Sequence, residues 1–408
     1  MQRIIFMKKS FMEVLKKTGI SLLLGAITFS TIVACGNNDS SISGNTTVNE
    51  NGEVINLDGS PVNTDDEEAA EDEYYEELPE GYVRSSLTNE LVTEEVANTR
   101  PIAVMIPMDE CAQPDYGNSK AGVVYECLVE GSITRTMNII EDWESMEKIG
   151  NIRSTRDYFI FWSWEWDAIL LHDGGPALYV SSWLADPLTN NINGLGYRES
   201  SRSAPHNEYY TADLVNKYIS SYGYEKTHRD QYVEKHFSFA PYGGQTILSD
   251  SYGTGDVLEV YAVDLKNCYP VTKTRYEYNP DDGLYYRFIY GKPHMDNADE
   301  DNPVQLAFSN IILQRAIGCS RDDHDYRAFE VHKTTEDGWF ITNGQAIHVT
   351  WQKTGNETPT RFFDDYGNEI KLSTGKTIIS VIQDGGSASL DFIFEDSNGD
   401  TVDAEFDR

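Results

Sequence analysis

The sequence predicts an α+β protein, in which an N-terminal mixed α/β domain is followed by a mostly β C-terminal domain. Between residues 98 and 250, short apolar runs alternate with helix-start signals. From residue 256 to residue 385 the pattern changes to short strands separated by turn sequences such as Asp281-Asp282-Gly283. The 408 residues are enough for two domains of ordinary size with additional terminal segments.

The first 35 residues resemble a bacterial lipoprotein signal peptide. Basic residues between positions 3 and 17 precede an apolar run over 19–33, and Cys35 follows the sequence Thr-Ile-Val-Ala. A membrane-spanning helix needs roughly 20 apolar residues, so this run is short for one. We expect cleavage before Cys35, lipid on Cys35, and anchoring at the extracytoplasmic face of the bacterial cell membrane. The alternative is an uncleaved N-terminal anchor.

Residues 36–97 are predicted to form an acidic, disordered linker, and residues 386–408 an acidic, loose tail. Between Gly36 and Glu80 the sequence has 14 Asp and Glu residues and neither Lys nor Arg. A segment of this composition buries too little apolar surface to offset the entropy of ordering, and its charges repel one another. We interpret the linker as a spacer, with a cation-binding tail as the alternative.

The formal net charge of −35 argues against a nucleic-acid partner, because binding to phosphate backbones requires a basic face. The sequence contains no GxSxG, P-loop or dinucleotide-binding glycine motif, so no nucleotide or other cofactor is expected. The 25 Tyr and 7 Trp residues suit the core of a β-rich protein, and they would also suit stacking on carbohydrate.

Apolar runs and capping signals locate the elements of the two domains. Ser154 and Asp157 resemble a capping box, which predicts a helix from Ser154 to about Trp166. Two further helices are expected, one from Pro176 to about residue 185 and one from an N-cap at Thr211 to about residue 222. Strands are predicted at residues 101–106, 122–129, 133–140, 168–171, 257–263, 276–278, 285–290, 347–351 and 378–382.

Four cysteines remain if Cys35 carries lipid. They form no CxxC or CxxH pattern, so a zinc site is not predicted. Outside the membrane they could pair in any of three connectivities, and Cys127 is interpreted as a buried small residue in a strand. The four residues are Cys111, Cys127, Cys268 and Cys319.

Two carboxylates and one guanidinium are predicted to lie on one face of a hairpin. If Gly131-Ser132 is a two-residue turn, residue 128 pairs with residue 135. Glu126, Glu130 and Arg135 then face the same side, because strand side chains alternate. This arrangement would suit a general acid or base held by an arginine. A ladder of surface charges is the alternative.

A pair of arginines and two histidines could border the same site. Arg153 and Arg156 are expected at a helix N-terminus, where they could clamp a carboxylate or phosphate or form salt bridges with the hairpin glutamates. His172 ends a predicted strand before Asp173, and sites in α/β sheets lie at the carboxyl ends of strands. The second histidine, His206, precedes Asn207 in a polar stretch. No close ligand pair such as HExxH supports a metal, and none is assigned.

A series of short motifs accompanies the predicted lipoprotein signal: Arg100-Pro101-Ile102-Ala103-Val104, Ser119-Lys120-Ala121, Glu126 to Arg135, Gly150 to Tyr158, and Pro205-His206-Asn207. Together they resemble the YerB-like lipoproteins, a bacterial family with two consecutive domains of unknown function. The resemblance covers about residues 98–382 and is most specific in the N-terminal domain. It implies a surface lipoprotein with a two-domain body and carries no catalytic assignment. Asp173 departs from the family pattern, in which a second histidine is common.

The leading hypothesis is a cell-surface lipoprotein that acts on or binds a cell-wall glycan or peptidoglycan through this Glu-Arg-His face. If it is an enzyme, we expect a hydrolase or a lytic transglycosylase-like activity, with Glu126 as general acid/base and Glu130 as second carboxylate. His172 and His206 would orient the substrate or relay protons. The substrate would be bound by Arg135, Arg153, Arg156, Asp173 and Asn207.

Two alternatives accompany this hypothesis. The first is a non-catalytic ligand-binding or scaffold lipoprotein in envelope assembly or sporulation, in which the charged face is a fixed network of ion pairs. The second is a metal-dependent hydrolase that uses the two histidines, Asp173 and a glutamate as ligands.

Overall fold

The computed structural model of the chain describes residues 46–48, 54–56, 76–230, 232, 235–297, 299 and 301–406. The chain divides into two units, Met1–Tyr75 and Glu76–Arg408. In the first unit, strands β1 (Thr46–Val48) and β2 (Val54–Asn56) pair antiparallel. The predicted signal peptide with Cys35, and most of the predicted linker, lie outside the described residues. Among the described residues, no helix has both the length and the apolar character needed to cross a membrane.

Within the described residues of the second unit, all α-helices end before residue 223, and strands dominate the rest. The helices are α1 (Glu94–Asn98), α2 (Asp157–Glu165), α3 (Ala177–Leu184) and α4 (Ala212–Tyr222). Short 3-10 turns lie at Glu110–Ala112, Asn118–Lys120, Glu130–Ser132, Trp143–Ser145, Pro241–Gly243 and Leu248–Asp250. The predicted α+β class, with a mostly β C-terminal domain, is confirmed.

The strands of the second unit are numbered in chain order. Those before residue 223 are β3 (Tyr82–Arg84), β4 (Leu91–Thr93), β5 (Ile102–Pro107), β6 (Val123–Leu128), β7 (Thr134–Ile140), β8 (Ile149–Gly150), β9 (Ile169–His172), β10 (Asn191–Asn193), β11 (Tyr197–Arg198) and β12 (Glu208–Tyr210). Those after it are β13 (Leu258–Glu259), β14 (Ala262–Asp264), β15 (Arg275–Asn279), β16 (Leu284–Ile289), β17 (Lys292–Pro293), β18 (Met295–Asp296), β19 (Val304–Gln305), β20 (Ala307–Phe308), β21 (Asn310–Ser320), β22 (Arg327–Phe329), β23 (Thr334–Thr342), β24 (Gln345–Lys353), β25 (Arg361–Asp364), β26 (Thr377–Asp384), β27 (Ile393–Glu395) and β28 (Thr401–Val402).

A twelve-stranded sheet runs through both domains. Its strand order is β10-β9-β5-β7-β6-β26-β21-β23-β24-β13, and β22 and β25 pair with β21 and β24. At the centre, β26 pairs in parallel with β6, and Ile379 lies opposite Tyr125. Strand β6 is buried along its whole length and β26 as far as Gln383, as expected of parallel strands covered on both faces. The two domains therefore share one hydrophobic core.

A seven-stranded antiparallel sheet in the C-terminal domain includes residues that were predicted to be a loose tail. Its order is β17-β16-β15-β14-β27-β28, and β20 pairs with β16. Strands β27 and β28 lie within residues 386–408, so the predicted tail is wrong for them. Phe394 and Phe406 are buried, and Glu395 pairs with Arg275 at 2.7 Å. These contacts offset the cost of ordering an acidic segment.

The compact unit begins earlier than the sequence predicted. Residues 76–97, interpreted as the end of the linker, instead form the antiparallel pair β3–β4 and most of α1. Thr93 caps α1 by accepting a hydrogen bond from the backbone of Val96 at 3.3 Å. Leu87 is buried in the common core and fixes the segment to the sheet. A few apolar residues are thus enough to order a stretch whose average composition is acidic.

Most predicted elements are present, but one predicted helix cap is wrong and two long strands were missed. Thr211 caps α4 as predicted, accepting a hydrogen bond from the backbone of Leu214 at 3.2 Å. The predicted cap at Ser154 is wrong, because α2 starts at Asp157 and the Ser154 hydroxyl donates to the carbonyl of Asp173 at 2.7 Å. The long strands β21 and β23 were not predicted.

Buried charges also join the domains. Glu165, at the end of α2, is fully buried and accepts hydrogen bonds from Lys353 and from the Thr360 hydroxyl, the latter at 2.9 Å. His236 lies 2.8 Å from the same carboxylate. Burial acts to raise the pKa of Glu165, but Lys353 and His236 outweigh it and lower the pKa to about 2. The carboxylate is therefore ionised inside the core.

The remaining small sheets complete the second unit. Strands β11, β12 and β8 form a three-stranded antiparallel sheet in the N-terminal domain. Strands β18 and β19 form an antiparallel pair in the C-terminal domain. The three-stranded sheet is the one that borders the polar site.

Candidate anion-binding site

The irregular segment 151–156, between β8 and α2, carries most of the polar site. The backbone N–H of Arg153 donates to the carbonyl of Met105 in β5 at 2.9 Å, and its carbonyl accepts from Asp173, just after β9, at 3.0 Å. The N–H of Ile152 donates to the carbonyl of Glu208 in β12 at 2.9 Å. These bonds hold the segment between three strands and bring the residues that come after β9 and precede β12 close to Arg153.

The β6–β7 connection differs from the predicted two-residue turn. Residues Glu130–Ser132 form a 3-10 turn, and Cys127 pairs with Arg135 while Glu126 pairs with Thr136. A shift of one residue moves a side chain to the other face of a sheet. The predicted common face of Glu126 and Arg135 is therefore wrong, and the two side chains point to opposite sides of the sheet.

Glu126 lies in the core, away from the polar site. Its side chain is fully buried and accepts hydrogen bonds from Arg287 and the Thr134 hydroxyl, both at 2.7 Å, and from the Thr274 hydroxyl at 2.9 Å. Buried charges are stable in proteins when they are paired and fully hydrogen-bonded in this way. This geometry favours a structural ion pair between the domains over a carboxylate that meets a ligand.

Glu130 and Arg156 form the salt bridge that was one of the two interpretations of the sequence. The Nε of Arg156 donates to Glu130 at 2.7 Å, a second guanidinium nitrogen donates to the other carboxylate oxygen, and a third donates to the carbonyl of Thr155 at 2.6 Å. Burial acts to lower the pKa of Arg156, but the hydrogen bonds to Glu130 outweigh it and raise the pKa. This charge is therefore already neutralised within the chain.

Three neighbouring arginines are not neutralised. Among the residues that the structure describes there are fourteen arginines, and eleven of them have a carboxylate oxygen within 4.0 Å. The three exceptions, which we call the arginine cluster, are Arg135, Arg153 and Arg202. A group of three neighbouring arginines without carboxylate partners is unusual in a chain with a net charge of −35.

The arginine cluster is held mainly through backbone carbonyls. Arg135 donates to the carbonyl of Ser154 at 2.7 Å, and Arg202 donates to the carbonyls of Ala112 and, at 2.6 Å, Pro114. The Nε atoms of Arg135 and Arg153 are buried and have no hydrogen-bond partner among the described residues. Burial, followed by the positive charges of Arg156 and Arg153, lowers the pKa of Arg135 to about 9. Because this pKa is still above 7, Arg135 carries its charge at neutral pH.

His206 lies in the electrostatic field of the whole arginine cluster. Burial lowers its pKa, and the three guanidiniums lower it further, whereas Asp109 acts in the opposite direction. The Nδ1 atom is buried and has no hydrogen-bond partner within the described ranges. His206 is therefore neutral at pH 7, and its buried Nδ1 lacks a hydrogen-bond partner in the described part of the chain.

Two of the predicted substrate-binding residues, Asp173 and Asn207, lie around Arg198. Its guanidinium donates to Asp173 at 2.8 Å, to Glu208 at 2.6 Å and to Asn207 at 3.2 Å. Burial raises the pKa of Glu208, whose side chain is fully buried. Asp173 and Asn207 are thus brought together, but by an arginine that the sequence did not indicate.

His172 has a structural environment. It ends β9 as predicted, and its side chain is fully buried. Nδ1 lies 2.8 Å from the carbonyl of Gly174, and Nε2 lies 3.2 Å from the side-chain oxygen of Asn191. Burial lowers the pKa of His172, so the ring is neutral. The single N–H of the neutral ring can donate to one of these two oxygens, and the expected role in proton relay stays a prediction without geometric support.

The residues that sequence reasoning missed are Arg198, Arg202 and Glu208. All three lie in the polar stretch around Pro205-His206-Asn207, which was recognised only through His206 and Asn207. The presence of two arginines in this stretch could have indicated them, because the protein is otherwise poor in basic residues. Their partners, Pro114 and Asp173, are distant in sequence, so their roles could not be read locally.

The four cysteines described by the structure are unpaired thiols. Cys127 and Cys268 are buried, and Cys111 and Cys319 are exposed. The buried position of Cys127 in β6 agrees with its interpretation as a small core residue. None of the three possible disulfide connectivities is formed among them.

Comparison with known proteins identifies the family. The profile of the N-terminal domain described as "Protein of unknown function (DUF3048)" matches residues 87–225, and the profile of its C-terminal domain matches residues 263–379. The chain is 26% identical over 315 residues to "Putative lipoprotein YerB" of Bacillus subtilis (strain 168), covering 76% of this chain and 88% of that protein. The fold is similar to the crystal structure of the YerB protein from Bacillus subtilis, with a TM-score of 0.61 and 26% identity over 75% of this chain and 99% of that one. The resemblance predicted from the motifs is confirmed, and the chain belongs to the YerB-like family with two consecutive domains of unknown function.

Proposed function

We propose that this chain is a lipid-anchored protein of the cell surface that binds an anionic group of a cell-wall glycan or peptidoglycan. The carrying observation is the arginine cluster, the three arginines without a carboxylate partner among the described residues. The anchor and the location rest on the signal that ends at Cys35 and on the similarity to a protein named as a lipoprotein.

Electrostatics supports an anion as the missing partner. A buried or half-buried charge is costly unless an opposite charge or several hydrogen bonds compensate it. Backbone carbonyls satisfy part of Arg135 and Arg202, but no described side chain satisfies Arg153. The planar guanidinium fork matches carboxylate and phosphate oxygens, which would supply both the charge and the missing acceptors.

Binding is favoured over glycan cleavage. The expected acid/base, Glu126, is engaged by Arg287 and two threonines on the other face of the sheet. Glu130 is engaged by Arg156. Neither carboxylate faces the arginine cluster as a free acid or base, so the chemistry expected of a two-carboxylate glycosidase is not assembled there.

Co-sedimentation of the full-length chain, held in detergent micelles, with purified cell-wall sacculi tests the proposal. Arg153→Gln removes one charge-assisted interaction worth about 1.5–3 kcal/mol, so binding should weaken by about 10- to 150-fold. Arg361→Gln is the matched control, because it removes the same charge from an ion pair with Glu369 in the C-terminal domain. Equal binding by wild type and Arg153→Gln, or an equal loss in both variants, would reject the arginine cluster as the binding site.

A further inference from the structure

A cleft of about 510 Å³ lies beside Tyr116 in the second unit. A volume of this size is within the range of small-molecule sites. The residues that line and define the cleft are Tyr116, Lys120, Ser145, Met146, Glu147, Lys148 and Asp299.

Arg202 connects the cleft to the arginine cluster. Its guanidinium carbon lies 5.9 Å from the centre of the Tyr116 ring, and its nitrogen donates to the carbonyl of Pro114 at 2.6 Å. Tyr116 therefore lies near Arg202 of the arginine cluster and also lines the cleft. A ligand that places an anion at Arg202 would extend its next group toward Tyr116.

The charges that line the cleft cancel, in contrast to those of the arginine cluster. Lys120 and Lys148 contribute two positive charges, and Glu147 and Asp299 contribute two negative ones. With the Ser145 hydroxyl, they offer both donors and acceptors of hydrogen bonds. Such a lining is suited to an uncharged group with several hydroxyls, which exchange hydrogen bonds of both kinds.

Tyr116 belongs to a cluster of three tyrosine rings. The Tyr116 and Tyr209 rings meet edge to face at 5.6 Å, and the Tyr209 and Tyr197 rings lie 5.9 Å apart. The Lys148 ammonium is 3.7 Å from the Tyr116 ring centre and also pairs with Glu199 at 3.0 Å. Tyrosine combines a flat apolar surface with a polar tip, and a sugar ring likewise has both apolar and polar faces.

From these observations we propose that the cleft is a sugar subsite, which binds the ring of a monosaccharide whose carboxylate or phosphate substituent is held by the arginine cluster. This inference rests on the proposed function and specifies its ligand as an anion-bearing sugar rather than a free anion. The charged end and the uncharged end of the ligand correspond to the charged and the neutral parts of the site.

Calorimetric titration of the full-length chain in detergent micelles with matched probes tests the subsite. N-acetylmuramic acid carries a sugar and a carboxylate, lactate carries the carboxylate alone, and N-acetylglucosamine carries the sugar alone. N-acetylglucosamine 1-phosphate and inorganic phosphate form the corresponding phosphate pair. We expect at least one anion-bearing sugar to bind ten or more times more tightly than its anion alone, and the pair that shows this difference identifies the anion.

Variants separate the subsite from the arginine cluster. Ser145→Trp fills the cleft from an exposed position; it should abolish the advantage of the sugar and leave the binding of the free anion unchanged. Tyr116→Ala removes the aromatic ring of the cleft and should reduce the same advantage. Tyr366→Ala, at an exposed tyrosine of the C-terminal domain, is the control and should have no effect.

The outcomes distinguish the two proposals. If free anions bind and the sugar adds less than twofold, the subsite is rejected and the proposed function stands. If neither the anions nor the anion-bearing sugars bind, both are rejected. If N-acetylglucosamine binds as tightly as N-acetylmuramic acid and N-acetylglucosamine 1-phosphate, the link between the cleft and the arginine cluster is rejected.

Discussion

Arg287 donates a hydrogen bond to Glu126 at 2.7 Å inside the core, and this pair joins the C-terminal domain to the N-terminal one. Both side chains are at most 1% exposed. Breaking a pair of this kind leaves a buried charge without compensation, whereas replacing both partners by apolar residues is often tolerated. The pair therefore makes the stability of each domain depend on the other.

Removing only Arg287 should be strongly destabilising. We expect Arg287→Met to lower the free energy of unfolding by about 3–5 kcal/mol, and the double variant Glu126→Leu/Arg287→Met to lose less than the sum of the two single changes. Urea unfolding followed by tryptophan fluorescence measures all three. Arg361→Met, in a partly exposed pair, should cost at most about 1 kcal/mol. Strict additivity of the two core changes would contradict the interpretation.

Removing an unpaired charge from the arginine cluster should stabilise the ligand-free protein, in contrast to Arg287→Met. Arg135 is buried and has no carboxylate partner in the described part of the chain, so Arg135→Met should raise the stability of the ligand-free protein by about 0.5–2 kcal/mol. The same variant should lose anion binding, because the site gives up stability for function. Chemical unfolding and calorimetric titration with lactate measure the two effects. A loss of stability similar to that of Arg287→Met would identify Arg135 as a structural residue instead.

Anion binding should strengthen as the pH falls. The pKa of His206 is lowered in the free protein, so the ring is neutral at pH 7 and gains its proton at a pH below its ordinary range. A bound anion favours the protonated ring, and affinity should therefore increase between pH 7.5 and pH 5.5. Lactate keeps its charge over this range and is the suitable probe. In His206→Gln the increase should disappear, and a pH dependence that survives this change would exclude His206.

The buried Glu165 should contribute to stability at neutral pH and lose that contribution in acid. Its pKa is lowered to about 2 in the folded chain, so its contribution is complete above the ordinary pKa of a glutamate and is lost as the pH falls toward 2. The size expected from this shift is about 3 kcal/mol. Urea unfolding of wild type and Glu165→Gln from pH 7 to pH 2 tests this. The difference between their free energies of unfolding should become smaller as the pH falls. A constant gap would mean that Glu165 does not titrate in this range.

Local patterns predicted most elements of the fold. The apolar runs of β5, β6, β7 and β9 and the cap at Thr211 are signals that depend only on neighbouring residues. The 3-10 turn at Glu130–Ser132 could not be distinguished from a two-residue turn, and that difference reversed the face of Arg135. Register depends on turn geometry, which a Gly-Ser sequence does not fix.

Contacts between residues that are distant in sequence explain the other differences between the predicted and the observed site. The motifs of the sequence predicted a Glu-Arg-His face, and Arg135, Arg153 and His206 do come together. The sequence could not show that Arg156 is neutralised by Glu130 while Arg153 is not, because the two arginines lie in one short segment and Glu130 is distant from both in sequence. It also could not show that Arg287 pairs with Glu126 in the core, since 161 positions separate the two residues.

The parallel pairing of β6 with β26 has a consequence for the order in which the chain can fold. Residues 377–384 insert between β6 and β21, so the middle of the sheet is filled by a segment that leaves the ribosome long after β6. Contacts between such distant segments form slowly because a long loop must close first. Until β26 is in place, β6 presents an unpaired apolar edge. The N-terminal domain can therefore complete its part of the sheet only after nearly all of the C-terminal domain has been synthesised.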